Sequence, residues 1–147
     1  MSARRAAAPA LASLMLGAAC CGPVRAATVE VEVDGIEPVP SNLYVALCQG
    51  GLSEENCRIG QDVPVRARVQ RVVFADVAPG GYAVAAFQDV NGNGRLDRTG
   101  LGLPLEPYGF SGETPRGARP DFGRAAFALR EPGVALRVRL SRALPAR

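Results

Sequence analysis

The stretch Thr28–Asp34, with the sequence T-V-E-V-E-V-D, decides the fold class. Its valines at positions 29, 31 and 33 alternate strictly with acidic residues. In an extended chain successive side chains point to opposite faces, so the valines share one face and the acids the other. This period of two is typical of a β-strand that is buried on one face.

Similar patterns recur along the chain and predict further strands. Asn42–Cys48 places Leu43, Val45 and Leu47 inward, opposite Tyr44 and Ala46. Residues 65–74 alternate until Arg71, where we expect a bulge or a strand end. Further strands are expected at residues 82–87, 124–130 and 134–140, the last two joined by E-P-G as a hairpin-like connection.

No window of the sequence has a convincing helical period, and glycine and proline separate the predicted strands. These features predict an all-β fold, an antiparallel sandwich of about seven strands, immunoglobulin-like or transthyretin-like. The stretch A-P-G-G-Y, residues 78–82, predicts a turn followed by a tyrosine that bonds back to the backbone, as at the corner of such sandwiches. The alternative is an ordinary hairpin turn before a core tyrosine.

Composition excludes several kinds of catalytic site. All 17 basic residues are arginine, and the chain has neither histidine nor lysine. Without histidine there is no Ser-His-Asp or Cys-His relay and no histidine-ligated zinc, and without lysine there is no Schiff base. Most common hydrolase mechanisms are therefore excluded.

Residues 1–26 have the features of a secretory signal peptide, with Arg4 and Arg5 before an apolar run and V-R-A before a cut after Ala26. A spanning anchor is the weaker alternative, because Pro9 interrupts a run shorter than the roughly 18 to 20 residues required. Lipid attachment at Cys20 stays open. We expect residues 27–147 to form one periplasmic or secreted domain without a membrane span.

Cleavage after Ala26 changes both the net charge and the number of cysteines in the mature chain. It removes three of the 17 arginines and no acid, which leaves 14 arginines against 14 acids, so we expect no nucleic-acid partner. It also removes Cys20 and Cys21 and leaves Cys48 and Cys57. In an oxidising compartment this pair predicts a structural disulfide, whereas a redox or metal pair would favour C-x-x-C spacing.

The stretch D-V-N-G-N-G-R-L-D, residues 89–97, places oxygen-bearing side chains with the spacing of a calcium-binding loop, and Gly94 is at its sharp-turn position. Gly100 stands where an EF-hand has its closing glutamate, so the loop is not an EF-hand. Tight turns alone are the alternative interpretation. Calcium is the expected cofactor, and its predicted ligands are Asp89, Asn91, Asn93, the Arg95 carbonyl, Asp97 and, to close the shell, Glu106.

Residues 89–123 interrupt the strand pattern but are too apolar for disorder, so we expect an ordered loop over one end of the sandwich. We expect its aromatic residues Tyr108 and Phe110 to pack beneath the loop, and stacking on a sugar or on a protein partner is the alternative. Catalysis would have to use Asp89, Asp97 and Glu106 as paired carboxylates for glycoside hydrolysis. We assign no catalytic residue.

Two stretches, A-P-G-G-Y-A-V-A-A-F-Q-D-V-N-G-N-G-R-L-D and G-L-G-L-P-L-E-P-Y-G-F-S, resemble the bacterial exported family catalogued as domain of unknown function 2141. The resemblance runs from about Thr28 to Leu140. It implies an exported β-sandwich and supplies no activity. Members usually carry histidine where this chain has Gln88, and often lysine at Leu105.

The resemblance also implies that Leu103-Pro104, Glu106 and Tyr108–Ser111 belong with the Asp/Asn loop in one surface feature. The sequence thus predicts a non-enzymatic module that binds calcium, a saccharide or a protein partner through residues 89–111. The alternatives are a carboxylate hydrolase acting on envelope polysaccharide and a purely structural module.

Overall fold

Eight strands make up most of the computed structural model, which describes residues 26–112 and 120–144. The strands are β1 (Ala27–Asp34), β2 (Asn42–Cys48), β3 (Ile59–Pro64), β4 (Gln70–Val77), β5 (Gly80–Asp89), β6 (Tyr108–Phe110), β7 (Phe127–Leu129) and β8 (Gly133–Arg139). A 3-10 turn (Glu54–Asn56) and the short helix α1 (Phe122–Ala125) complete the elements. The predicted leader lies almost wholly outside the described residues, so its cleavage stays a prediction.

The strands form two sheets, and the predicted β-sandwich is confirmed. One sheet has the order β4-β1-β8, and the other has the order β3-β2-β5-β6, with β7 also paired to β5. All pairings are antiparallel except that of β1 with β8, which is parallel. The described chain thus holds eight strands, against the seven or so predicted.

The core lies between the two sheets and is built from the predicted alternation. The three valines of β1 are fully buried. Leu43, Val45 and Leu47 of β2 are at most 1% exposed and meet them from the other sheet. The period of two in the large aliphatic residues of β1 and β2 therefore sets which face of each strand packs inward.

The predicted corner at the start of β5 is confirmed. Tyr82 is 2% exposed, and its hydroxyl donates a hydrogen bond to the Ala78 carbonyl oxygen at 2.9 Å. This bond satisfies a buried phenol and fixes the turn that leads from β4 into β5.

The predicted strand at residues 65–74 is wrong in its first half. The chain there is a loop, in which the Val65 amide donates to the Ser41 carbonyl oxygen at 2.9 Å and Val69 is 51% exposed. A strand boundary does lie beside Arg71, because β4 begins at Gln70. The break in β1–β4 register falls instead opposite Ala27, near Asp76 with its φ of 56°.

The prediction for residues 124–130 is also wrong in part. The Asp121 side chain accepts a hydrogen bond from the Arg124 amide at 3.0 Å and so caps helix α1, which leaves only three residues for β7. The predicted hairpin between β7 and β8 does not form. β7 pairs with β5 and β8 with β1, so the E-P-G connection crosses from one sheet to the other.

The long segment after β5 contains β6, which the sequence did not predict. Tyr108 exchanges two backbone hydrogen bonds with Ser141, at 3.1 and 2.9 Å, so β6 ties the five-stranded sheet to the end of β8. Gly109 permits this approach, because a Cβ there would collide with the Arg139 carbonyl oxygen. The aromatic residues on either side of Gly109 thereby face outward.

Candidate functional site

A row of large side chains crosses the outer face of the five-stranded sheet. The strand register places Asp62, Tyr44, Phe87 and Tyr108 side by side on β3, β2, β5 and β6. The Tyr44 and Phe87 rings stack with centroids 4.9 Å apart and planes 5° from parallel. The outer face of this sheet, which points away from the core, thus carries a continuous aromatic row.

A row of small residues lies next to the aromatic row. Gly60, Ala46 and Ala85 are cross-strand neighbours, and Phe110 ends this row on β6. The Phe110 ring meets Tyr108 edge-on with centroids 5.9 Å apart. The three small residues leave space above the sheet, which we call the trough.

Two loops close the trough, one at each end of the strands. On one side the chain after β5 crosses the face so that Gly94 lies beside the Tyr44 hydroxyl, 3.5 Å from where a Cβ would stand. On the other side is the segment between β2 and β3, fixed by the Gln49 amide bond to the Asn56 carbonyl oxygen at 2.9 Å. The trough stays open to solvent above the sheet, and its volume is about 420 Å³.

The predicted disulfide is confirmed and belongs to the second of these walls. Cys48 ends β2, and its bond to Cys57, nine residues later, closes the loop that carries Leu52 and Glu54. Leu52, Glu54 and Cys57 all line the trough. The cross-link therefore fixes the wall as well as the fold.

The charged residues that line the trough balance one another. Glu54 and Asp62 supply two carboxylates, and Arg95 and Arg98 supply two guanidinium groups. None of the four takes part in an ion pair within residues 26–112 and 120–144. The polar groups of Glu54, Asp62 and Arg95 are thus free to bind a ligand that carries no net charge. Arg98 keeps further donors for such a ligand besides Nη1, which bonds to the Gly102 carbonyl oxygen at 3.1 Å.

Asp89 organises the loop predicted to hold calcium. It is 1% exposed, and Oδ1 accepts hydrogen bonds from the amides of Gly92 at 2.8 Å and Asn93 at 3.2 Å, while Oδ2 accepts one from Gly94 at 2.8 Å. A buried carboxylate is stabilised by such donors. Its hydrogen bonds hold the loop in its tight curl.

Asp97 faces amide nitrogens rather than oxygens. Its Oδ2 accepts hydrogen bonds from Asn91 Nδ2 at 2.6 Å and Asn93 Nδ2 at 2.7 Å. The corresponding Oδ1 atoms accept from the backbone, Asn91 from the Asn93 amide at 3.2 Å and Asn93 from the Arg95 amide at 2.9 Å. These contacts are those expected of asparagines in tight turns.

Glu106 holds both ends of the same loop through hydrogen bonds. It is 3% exposed and accepts from the amides of Val90 at 3.0 Å and Asp97 at 3.3 Å. The structure thus brings Asp89, Asn91, Asn93, Asp97 and Glu106 together in one loop, and the Arg95 backbone, whose carbonyl is the other predicted ligand, belongs to the same loop. No cluster of three or more Asp, Glu, Cys or His side chains that could hold a metal occurs in the described ranges, and calcium binding stays a prediction.

The surface feature implied by the family resemblance forms only in part. Tyr108 and Phe110 line the trough, and Glu106 bonds to the Asp/Asn loop. Ser111 is buried instead, where its hydroxyl accepts from the Val84 amide at 2.7 Å and donates to the Ala125 carbonyl oxygen at 2.6 Å. It fixes β6 and α1 against β5.

Gln88 has a structural role that the sequence did not reveal. It is fully buried, with Oε1 accepting from the Glu37 amide at 2.8 Å and Nε2 donating to the Glu37 carbonyl oxygen at 2.9 Å and to Ser41 Oγ at 2.8 Å. These bonds pin the β1–β2 connection. Gln88 and Glu37 are 51 positions apart in the sequence, so no local pattern signals this contact.

Glu37 in turn forms a two-bonded ion pair with Arg142. Arg142 Nε and Nη2 lie 2.5 and 2.7 Å from its two carboxylate oxygens, and Nη1 donates to the Leu105 carbonyl oxygen at 2.8 Å. The hydrogen bonds from Arg142 lower the pKa of Glu37, and those to Glu37 raise the pKa of Arg142. The pair joins three segments far apart in sequence.

Comparison with known proteins identifies a family but no activity. The family model described as "Uncharacterized protein conserved in bacteria (DUF2141)" matches residues 31–136, most of the chain. Searches of curated proteins and of solved structures found no match. Among the residues that the structure describes, no helix has the length and apolar character needed to cross a membrane.

Proposed function

The chain belongs to this uncharacterised bacterial family, and we propose that it is an exported, non-enzymatic module that binds a neutral oligosaccharide in the trough. The observation that carries the proposal is the aromatic row of Tyr44, Phe87 and Tyr108 beside the small-residue floor. Aromatic rings provide rigid apolar surface against which the C–H faces of sugar rings pack.

The dimensions and charges of the trough favour this class of ligand. It crosses four strands, which at strand spacing is about 14 Å, long enough for several sugar units. Two carboxylates and two guanidinium groups suit hydroxyl groups, whereas an apolar ligand would leave them without partners. A strongly charged ligand would meet repulsion from one pair or the other.

Hydrolysis is the less supported alternative. Asp89 and Glu106 are buried and accept backbone amide hydrogen bonds, and Asp97 accepts from two asparagines. A catalytic pair needs one raised pKa and access to the glycosidic oxygen. The use of these carboxylates to hold the loop is a reason to propose binding rather than turnover.

Isothermal titration with maltopentaose, cellopentaose and chitopentaose tests the proposal, using the protein in the form that cells accumulate. We expect at least one of the three to bind. Ala46→Leu fills the trough floor without removing a contact and should abolish that binding. Tyr108→Ala should weaken it about tenfold or more, the effect of losing an aromatic anchor.

Val73→Ser is the matched control, because Val73 is 44% exposed on β4 of the other sheet. It should leave oligosaccharide binding unchanged. Failure of all three sugars to bind, or binding that Ala46→Leu does not alter, would contradict the proposal. Release of reducing ends during the titration would support the hydrolase instead.

A further inference from the structure

The segment from Arg98 to Leu105 forms a closed projection that we call the leucine finger. Its backbone is held by three hydrogen bonds, Leu105 amide to Asp97 carbonyl at 2.9 Å, Thr99 amide to Leu103 carbonyl at 2.8 Å and Gly102 amide to Thr99 carbonyl at 2.8 Å. The Thr99 hydroxyl accepts from the Leu103 amide at 3.1 Å. The fold of the finger is therefore fixed by its own backbone.

This fixed backbone holds three leucines in the solvent. Leu101 at the tip is 90% exposed, and Leu103 and Leu105 are 42% and 45% exposed. A single exposed leucine is ordinary, but three on one short projection form an apolar tip. None of the three lines the trough, so ligand binding there does not account for them.

A positive charge lies against this tip. Arg98 Nη1 donates to the Gly102 carbonyl oxygen at 3.1 Å, which places the guanidinium beside the turn that carries Leu101. Within the described residues Arg98 has no acidic partner, and residues 98–105 include no acid. The finger thus combines exposed leucines with one unpaired cation.

We propose that the leucine finger inserts into the surface of a membrane that contains anionic lipids. The exposed parts of three leucines supply far less than the roughly 800 Å² per partner that a stable protein–protein contact buries. A lipid surface receives a convex apolar tip of any shape, and its phosphate groups pair with a neighbouring arginine. Oligosaccharide binding in the trough is not required for this contact.

Sedimentation with vesicles tests the proposal, using the protein in the form that cells accumulate, with its first residue established by N-terminal sequencing. We expect binding to vesicles of equal parts phosphatidylglycerol and phosphatidylethanolamine, and weaker binding to phosphatidylcholine alone. Leu101→Ser should lower the partition coefficient about tenfold or more. Arg98→Gln should lower it about fivefold on the anionic vesicles only.

Val73→Ser again serves as the control, since it removes an exposed apolar side chain from the middle of β4, and it should partition like the parent. Equal vesicle binding by the parent and Leu101→Ser would overturn the proposal, and so would an absence of binding at low salt. Self-association that Leu101→Ser abolishes, without vesicle binding, would identify a second copy of the chain as the occupant and would also overturn it.

Discussion

A single hydroxyl fixes the start of β5, and its removal should have a measurable cost. Tyr82→Phe keeps the ring but leaves the Ala78 carbonyl oxygen without its 2.9 Å donor. We expect the free energy of unfolding to fall by about 1 kcal/mol, measured by denaturant titration. Tyr108→Phe is the control and should change stability little, because the Tyr108 hydroxyl has no hydrogen-bond partner in the described part of the chain.

Gln88 should matter more than Tyr82, because three hydrogen bonds depend on one buried amide. Gln88→Leu preserves approximate volume but leaves the Glu37 amide, the Glu37 carbonyl and the Ser41 hydroxyl without this partner. We expect a loss of about 2 to 4 kcal/mol by denaturant titration. Ser41→Ala removes only one of the three contacts and should cost about 1 kcal/mol. Equal effects from the two variants would contradict the assignment.

The disulfide loop should link stability to the shape of the trough. Replacing Cys48 and Cys57 together by alanine frees a closed loop of ten residues, and the chain-entropy relation gives a loss of about 2.5 to 3 kcal/mol. Because Leu52 and Glu54 lie on this loop, oligosaccharide binding should weaken as well. Urea titration and calorimetry measure the two effects, and titration of the unfolded, unreduced parent should find neither cysteine as a free thiol.

The Asp89–Asp97 loop offers a direct test of calcium binding. Coordination requires Asn91 and Asn93 to present Oδ1 instead of Nδ2 toward Asp97, which exchanges two hydrogen-bond donors for a cation. With a Kd of roughly 0.1 to 1 mM, 10 mM calcium should add about 1.4 to 2.7 kcal/mol to the free energy of unfolding. Asp97→Asn should remove the gain. An unchanged melting temperature between calcium and chelator would leave the loop as turns only.

Strand prediction succeeded where one face is buried and failed elsewhere. β1 and β2 alternate because their inward residues fill the core, so their bounds are nearly those expected. β3 is an edge strand with five of its six residues exposed, so its main-chain bonds to β2 leave no hydrophobic period in the sequence. β6 and β7 have three residues each, too few to establish any period.

Prediction of the site succeeded for contacts that are local in the sequence and failed for distant ones. Spacing within residues 89–97 correctly placed the oxygen-bearing side chains in one loop, because those contacts span six residues or fewer. The outward positions of Tyr44 and Ala46 were also readable from the alternation of β2. Their alignment with Phe87, Ala85 and Phe110 depends on register between strands, which the sequence of one strand does not contain.

The Glu37–Arg142 ion pair joins the β1–β2 connection, the leucine finger and the chain after β8. Acid should weaken this ion pair. The hydrogen bonds from Arg142 lower the pKa of Glu37 in the folded chain below its ordinary 4.5. A lowered folded-state pKa contributes stability that is present above pH 4.5 and is lost as the pH falls through the folded value.

Glu37→Gln should therefore cost about 1 kcal/mol at pH 7, and this difference from the parent should shrink below pH 4. Urea midpoints at the two pH values measure it, with Glu30→Gln as the control, since the Glu30–Arg71 pair is more exposed. If Glu37→Gln loses the same free energy of unfolding at pH 7 and at pH 3, the carboxylate charge contributes nothing to the stability that this contact provides.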